Sequence, residues 1–265
     1  MRNLVLGSSG FLGKRLCDFL RERGEDVIEF DIKNDGKEQD ARTATLPLDN
    51  VDRVYFLAWD VGGAKYLYKK DAQIFQMEWN SKLMNNVFPQ IMNIPFVFVS
   101  SQLSEKVDSV YGSQKRLGEV WTKLSKNGIS VRLWNLYGYN EPFNERSHVM
   151  SDFIYQAINN NRINMLTKGE EHRQFVHIDD VCEGLLKSFE VNDKSKTYDL
   201  SSKKWTSLLD VVKIIKKETN CSVLTGEKSG ETVFIENKEL VPGWKSKISL
   251  EQGIKRMIKE LKDEC

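Results

Sequence analysis

The chain has 265 residues, with 39 basic and 38 acidic side chains, which is long enough for one large domain or a compact pair around a substantial core. A formal net charge of +1 and no long block of like charge exclude a polyanion-binding stripe, so no nucleic-acid partner is expected. The longest apolar run, 94–99 with Pro95 inside it, is far short of the roughly 20 residues that span a bilayer, so no membrane partner is expected either.

Strand-like residues begin at Asn3, leaving no room for a signal peptide ahead of them. Cys17, Cys182, Cys221 and Cys265 are far apart and form no CxxC or Cys/His ligand spacing, so they read as reduced thiols of a cytoplasmic protein without a metal site. Leu4-Val5-Leu6 signals a short buried strand. Glycines follow at once, then a helix with Phe11, Leu12, Leu16, Phe19 and Leu20 on its apolar side. A second strand over 27–30 ends at Asp31, and further buried strands are predicted over 53–58, 96–100 and 129–134, with a helix over 72–88. Tyr111 begins a helix in which Leu117, Val120, Trp121 and Leu124 share one face. Strands alternating with helices predict a Rossmann-type, doubly wound parallel sheet in an α/β protein.

Past Gly138 the alternation loosens into a polar loop through Asn140 and Glu145, a helix over 149–158 and a short strand near Asn164. This reads as a smaller α/β substrate-binding lobe. The chain is expected to return to the sheet at 175–178, with Asp179-Asp180 capping the next helix and Glu183 completing a capping box. Thr206-Ser207 opens a helix carrying Leu208, Leu209, Val212 and Ile215. Ser249 and Gln252 form a further capping box ahead of a helix with Leu250, Ile254, Met257, Ile258 and Leu261 on its buried stripe. The expected division is 1–138 and 174–200 for the dinucleotide domain, and 139–173 and 201–265 for the lobe.

Gly7, Gly10 and Gly13 allow a tight turn and close backbone approach to a pyrophosphate at a helix N-terminus, with Ser9, Phe11 and Leu12 in the same loop. The context strengthens a weak pattern: it follows the first strand, opens a helix, and is followed by Asp31 at the end of the second strand. A carboxylate there accepts from both ribose hydroxyls and repels a 2′-phosphate, favouring NAD over NADP, although Lys33 weakens that preference.

Tyr111 and Lys115 are four apart and share a helix face, so the ammonium can lower the pKa of a phenol that otherwise sits near ~10. A serine from Ser100-Ser101 could hold a substrate hydroxyl while Tyr111 moves its proton and a nicotinamide its hydride. Tyr66 and Lys70 have the same spacing, but no serine pair or helix start precedes them, and they read as solvated surface.

With Gly7-Ser-Ser-Gly-Phe-Leu-Gly13, the serine pair, Tyr111-Gly-Ser-Gln-Lys115, Arg132-Leu-Trp-Asn135-Leu-Tyr-Gly138 and Arg173-Gln-Phe-Val-His-Ile-Asp-Asp180 in this order, the chain resembles the extended short-chain dehydrogenases. More narrowly it resembles the nucleotide-sugar epimerase/dehydratase family, over nearly its whole length, since Gly243-Trp244 and Ser249-Leu-Glu-Gln-Gly253 are similar to that family's carboxy-terminal segment. The resemblance implies a catalytic group of Tyr111, Lys115 and a serine, Ser101 ahead of Ser100. It also implies that Asp40-Ala41 lies at the adenine, that Ala58 lines the cofactor cleft, that Asn135 and Arg173 hold the substrate's diphosphate, and that the protein is a homodimer. An arginine fork suits phosphate oxygens, the alternative for Arg173 being a surface salt bridge.

Gln102-Leu103 stands where the family's dehydratases carry an acidic pair, which disfavours dehydration. Val61-Gly62-Gly63 and Ser147-His148-Val149 resemble the GDP-fucose synthase branch, where a histidine works with a cysteine; the matching position here is near Leu103. His148 is thus a substrate contact, a proton carrier or a packing residue, and His177 a pocket wall or a satisfied core residue. Only ten positions separate Ser101 from Tyr111, which implies a more open pocket mouth. No arginine lies in 231–237, where the family tends to place one against the diphosphate; Lys228 or Lys238 could compensate.

The expected function is an NAD-dependent nucleotide-sugar epimerase. An NAD(P)H-dependent reductase of 4-keto-6-deoxy nucleotide sugars would use the same residues, and a non-catalytic dinucleotide-binding protein would not need Tyr111 and Lys115.

Overall fold

A computed structural model describes residues 1–139, 141 and 143–263; Asn140 and Cys265, singled out above, lie outside them. Six parallel strands form the central sheet: β1 (Arg2–Leu6), β2 (Asp26–Phe30), β3 (Arg53–Phe56), β4 (Phe96–Ser101), β5 (Gly128–Leu133) and β9 (Thr197–Leu200), in the order β2-β1-β3-β4-β5-β9. Both faces are covered, which is why these strands read as apolar runs rather than alternating ones. Val5, Tyr55, Val97 and Val131 join a core with α1 (Phe11–Arg21) and α7 (Ile178–Ser188). Leu4, Leu6, Phe56 and Phe98 point the other way, into a core with α4 (Lys70–Ile91). Each fully buried leucine of this kind contributes about 1.5–3 kcal/mol.

The chain runs from β1 outward to β2 and then crosses to β3 on the far side of β1. That reversal opens a crevice at the carboxyl ends of β1 and β3, the place where open α/β sheets bind ligands.

A third core holds the lobe together. It joins α6 (Val149–Asn159), α8 (Leu208–Thr219) and α9 (Leu250–Asp263) through Met150, Phe153, Ile154, Val211, Ile215, Ile254 and Met257. Beside it lies a small sheet of β6 (Asn135–Tyr137), β8 (His172–His177) and β10 (Trp205–Ser207), and a two-stranded pair of β7 (Arg162–Asn164) and β11 (Ser222–Leu224).

Three expectations are corrected. The segment 175–178 does not rejoin the central sheet: β8 pairs with β6 and β10, and the returning strand is β9. Asp179 and Asp180 do not cap α7. His177 does, its Nδ1 accepting from the Asp179 N–H at 3.2 Å, while Asp180 accepts from Ser246, Lys247 and Ile248 and Glu183 pairs with Lys247. Tyr66 is buried rather than solvated, because its hydroxyl donates to Asp60 at 2.8 Å and accepts from Arg146. The Ser249–Gln252 capping box forms reciprocally, and Ser207 caps α8.

Candidate active site

Gly7 has φ +90°, and a Cβ on it would lie 2.7 Å from the Ala58 nitrogen, so β1 and β3 approach as closely as they do only with glycine there. A Cβ on Gly13 would lie 2.0 Å from the Gly7 oxygen, which holds α1 against the turn. Gly10 precedes α1 with no side-chain cap, and the first turn carries no acidic residue. The free N–H groups and the helix dipole therefore face the crevice, as an anion needs. Asp31 ties the loop to β2: one carboxylate oxygen accepts from the Ser9 N–H at 3.1 Å and the other from the Lys33 N–H at 2.9 Å. A carboxylate has about four acceptor sites, so two remain for a ribose diol. These groups fit NAD.

Asp40 is committed to Arg42, whose fork bonds both carboxylate oxygens at 2.8 and 2.6 Å and holds the carboxyl below its usual range. The loop that carries Asp40 and Ala41 is pinned to α4 by Asn86, which donates to the carbonyls of Ala41 and Ala44, and by Gln90.

The reactive hydroxyls are set by the join between β4 and α5 (Val110–Leu124). Ser109 caps α5, so Tyr111 stands in its first turn, with its phenol beside the Ser101 hydroxyl at the end of β4. A Cβ on Gly112 would lie 2.1 Å from the Lys106 carbonyl, and one on Gly118 2.3 Å from the Phe98 ring. The two glycines let α5 lie close on β4. Burial pushes the Tyr111 phenol up to about 12, opposed by the Ser101 hydroxyl. Lys115, one turn on and 4% exposed, donates to the Val99 carbonyl at 2.7 Å and stands 4.0 Å from the centre of the Trp59 ring. Burial pulls its pKa well down, opposed by the Glu119 charge.

Ser100 and Ser101 have different surroundings. Ser100 donates to Glu119 at 2.6 Å, as does Ser104 at 2.7 Å, and Arg132 grips the same carboxylate with two bonds of 2.7 and 2.9 Å. Burial works against the charge on Glu119, but these donors hold its carboxyl below the usual range. Removing one partner of such a buried pair costs about 3–5 kcal/mol. The Glu119 cluster therefore anchors the base of the site, whereas Ser101 meets the phenol.

On the other side of the crevice, Asn135 of β6 has a buried Oδ1 with no partner among the described residues. Its cross-strand neighbour on β8 is Phe175, so Arg173, two residues earlier, faces the same side. Arg173 donates to the carbonyls of His172 and Glu231 at 2.8 and 3.0 Å and has no carboxylate partner among the described residues, unlike the surface salt bridge considered for it. The segment 231–237 lies along β8 through Thr232 and Asn237, and Lys238 is engaged by Glu105 at 3.3 Å. With Lys106 at 3.5 Å from Glu231, these pairs tie the short Ser101–Tyr111 connection to the 231–238 segment.

Gly62 and Gly63 bring the loop after β3 onto the segment bearing His148. The Gly63 N–H donates to the Arg146 carbonyl at 2.7 Å, and Arg146 pairs with the buried Asp60 at 2.6 Å. Trp59, Glu119 and the Asp60–Arg146 pair were missed by sequence reasoning. Only Glu119 had a local signal, its position one turn beyond Lys115. Among the described residues no cluster of three or more His, Cys, Asp or Glu could hold a metal, and no helix is long and apolar enough to cross a membrane.

A family model for NAD-dependent epimerases and dehydratases matches residues 3–201. A putative UDP-glucose 4-epimerase of Methanocaldococcus jannaschii is 24% identical, over 98% of this chain and 98% of that protein. UDP-glucuronic acid decarboxylase 2 of Arabidopsis thaliana is 23% identical, over 99% of this chain and 68% of its own length. An epimerase of Methanothermobacter thermautotrophicus superposes with a TM-score of 0.85 at 19% identity, over 99% of this chain and 92% of its own. A UDP-glucose 4-epimerase of Thermotoga maritima, solved with UDP-glucose, gives 0.80 at 21% identity, over 100% and 99%.

Proposed function

The chain belongs to the NAD-dependent epimerase/dehydratase family, and from that premise we propose that it is a nucleotide-sugar epimerase working through a transient keto-sugar. The observation that carries this reading is the placement of the Tyr111 phenol beside Ser101 at the carboxyl end of β4, with the buried Lys115 one turn away. The names of the relatives support the substrate class, since three of the four quoted carry UDP-glucose or UDP-glucuronic acid in their names.

NAD, when bound, would supply reversible hydride acceptance at a sugar carbon. Gly7, Ser9, Gly10, Phe11, Leu12 and Gly13 hold its pyrophosphate, Asp31 its ribose, Asp40 and Ala41 the adenine end, and Ala58 and Lys115 the nicotinamide end. Ser101 orients the substrate hydroxyl, and Tyr111 takes its proton and later gives it back. The Lys115 ammonium, when charged, offsets the burial that raises the phenol. Asn135, His148 and Arg173 hold the substrate, with the Arg173 fork on its diphosphate.

The second reading, a keto-sugar reductase, uses the same groups with Tyr111 as acid. The Asp31 carboxylate at the ribose position favours NAD and so the epimerase. Exposed Leu117, Val120 and Leu124 on α5, with Ile74 and Met77 on α4, form an apolar face that a second copy of the chain would cover in a homodimer. Tyr111→Phe tests the mechanism. Turnover of UDP-glucose and UDP-glucuronic acid should fall by about 10²–10⁴-fold with NAD still bound; unchanged turnover would remove the phenol from the reaction.

A further inference from the structure

His148 precedes α6 without its side chain capping that helix. Its ring turns to Glu141 instead. The Glu141 Oε1 is hydrogen-bonded to the His148 Nδ1 and accepts from the His148 backbone N–H at 3.1 Å, while Oε2 accepts from the Ser151 hydroxyl. The carboxylate side chain is 6% exposed and the imidazole 37%. The anion is thus the inner partner and the ring the outer one, and Nε2 has no hydrogen-bond partner among the described residues.

The segment that carries the ring lies against the loop after β3. A Cβ on Gly63 would lie 2.3 Å from the Ser147 carbonyl and 3.4 Å from the His148 Cα, and Trp59, in the same loop, covers Lys115. Other charges nearby are committed elsewhere: Arg146 to Asp60 at 2.6 Å, Lys65 to Asp152 in the first turn of α6 at 2.8 Å, and Lys69 to Glu145 at 2.7 Å. Glu141 is the charge in contact with the ring.

An ionised carboxylate only accepts, so the Nδ1 facing it must carry the hydrogen, and in the neutral ring the lone pair then lies on Nε2. From this geometry we infer that Glu141 is a positioning residue: it fixes the His148 tautomer and leaves Nε2 as the hydrogen-bond acceptor for a substrate hydroxyl. The inference about substrate rests on the epimerase reading; the tautomer does not. When a solvent proton adds at Nε2, the resulting imidazolium is balanced by Glu141. Burial opposes that charge and Glu141 favours it, with the net effect above the ordinary value of 6.5.

The test is ¹⁵N and ¹H NMR of the full chain labelled at histidine, without substrate or added NAD, with the three histidines assigned by His148→Gln and His172→Gln. Neutral His148 should be the Nδ1–H tautomer and titrate above ~6.5. Glu141→Gln should lower that midpoint by about one pH unit and let the Nε2–H tautomer appear, while Glu141→Asp keeps most of the shift. An Nε2–H tautomer in the native chain, or a midpoint that Glu141→Gln leaves in place, overturns the inference. Should Glu141→Gln fail to fold, the native tautomer and midpoint decide alone. Because no turnover is read, this result stands apart from the outcome of Tyr111→Phe.

Discussion

Lys115 is costly to bury: its amine has no carboxylate in contact among the described residues. The Val99 carbonyl and the Trp59 ring are what hold it, with Phe98 and Tyr111 rings at 5.1 and 5.9 Å. A cation over an indole face gains about 0.5–2 kcal/mol, and 1.36 kcal/mol is about one pH unit. The sign follows. Trp59→Leu lowers the Lys115 pKa further, the neutral amine no longer offsets the Tyr111 charge, and the acid limb of the kcat/KM profile moves up by about one pH unit. A profile measured on UDP-glucose with an unmoved limb would detach Trp59 from Lys115. Spacing read in context, with a serine pair and a helix start beside Tyr111 and Lys115 and a strand ahead of the glycines, made these residues legible. Trp59 was not, because an indole after Ala58 reads as core until α5 is laid against it. Separating Ser100 from Ser101 likewise needed the Glu119 cluster.

At the scale of the element, α5 was legible as a helix but not in its orientation. Leu117, Val120 and Leu124 share one face, which is exposed, whereas the buried residues include Gly112, Gln114, Lys115, Gly118 and Glu119. Periodicity reports that a stripe is apolar and not what covers it. Small residues meet β4 because a larger one would strike Phe98. If the exposed stripe is covered by a second copy, Leu117→Glu with Leu124→Glu should convert a dimer to a monomer of 30.6 kDa in light scattering while leaving the far-ultraviolet circular dichroism intact. A native chain that is already monomeric at micromolar concentration would leave the stripe without that role. The cap of α7 was misread for a related reason. Two acids at a helix start look like caps, but Asp180 is drawn to 246–248, a contact with no local trace in the sequence.

Across the whole molecule, the order of strands and glycines made the dinucleotide half legible, since each βα unit carries its own signal. The lobe was harder to read. An apolar run such as 175–178 fits a strand in any buried sheet, and only long-range pairing shows that β8 belongs with β6 and β10. The glycine loop opens at the carboxyl end of β1, while Asn135, Arg173 and His148 are carried by the elements of the lobe. The central claim is an internal redox cycle, in which the hydride taken from the sugar is returned to it and the nucleotide never needs to leave. The measurement that tests it most directly is mass spectrometry of the nucleotide released when the purified protein is denatured, with its stoichiometry. Near-stoichiometric NAD is the predicted result. An empty site, or NADP, would contradict it and point to a reductase that exchanges its cofactor at every turnover.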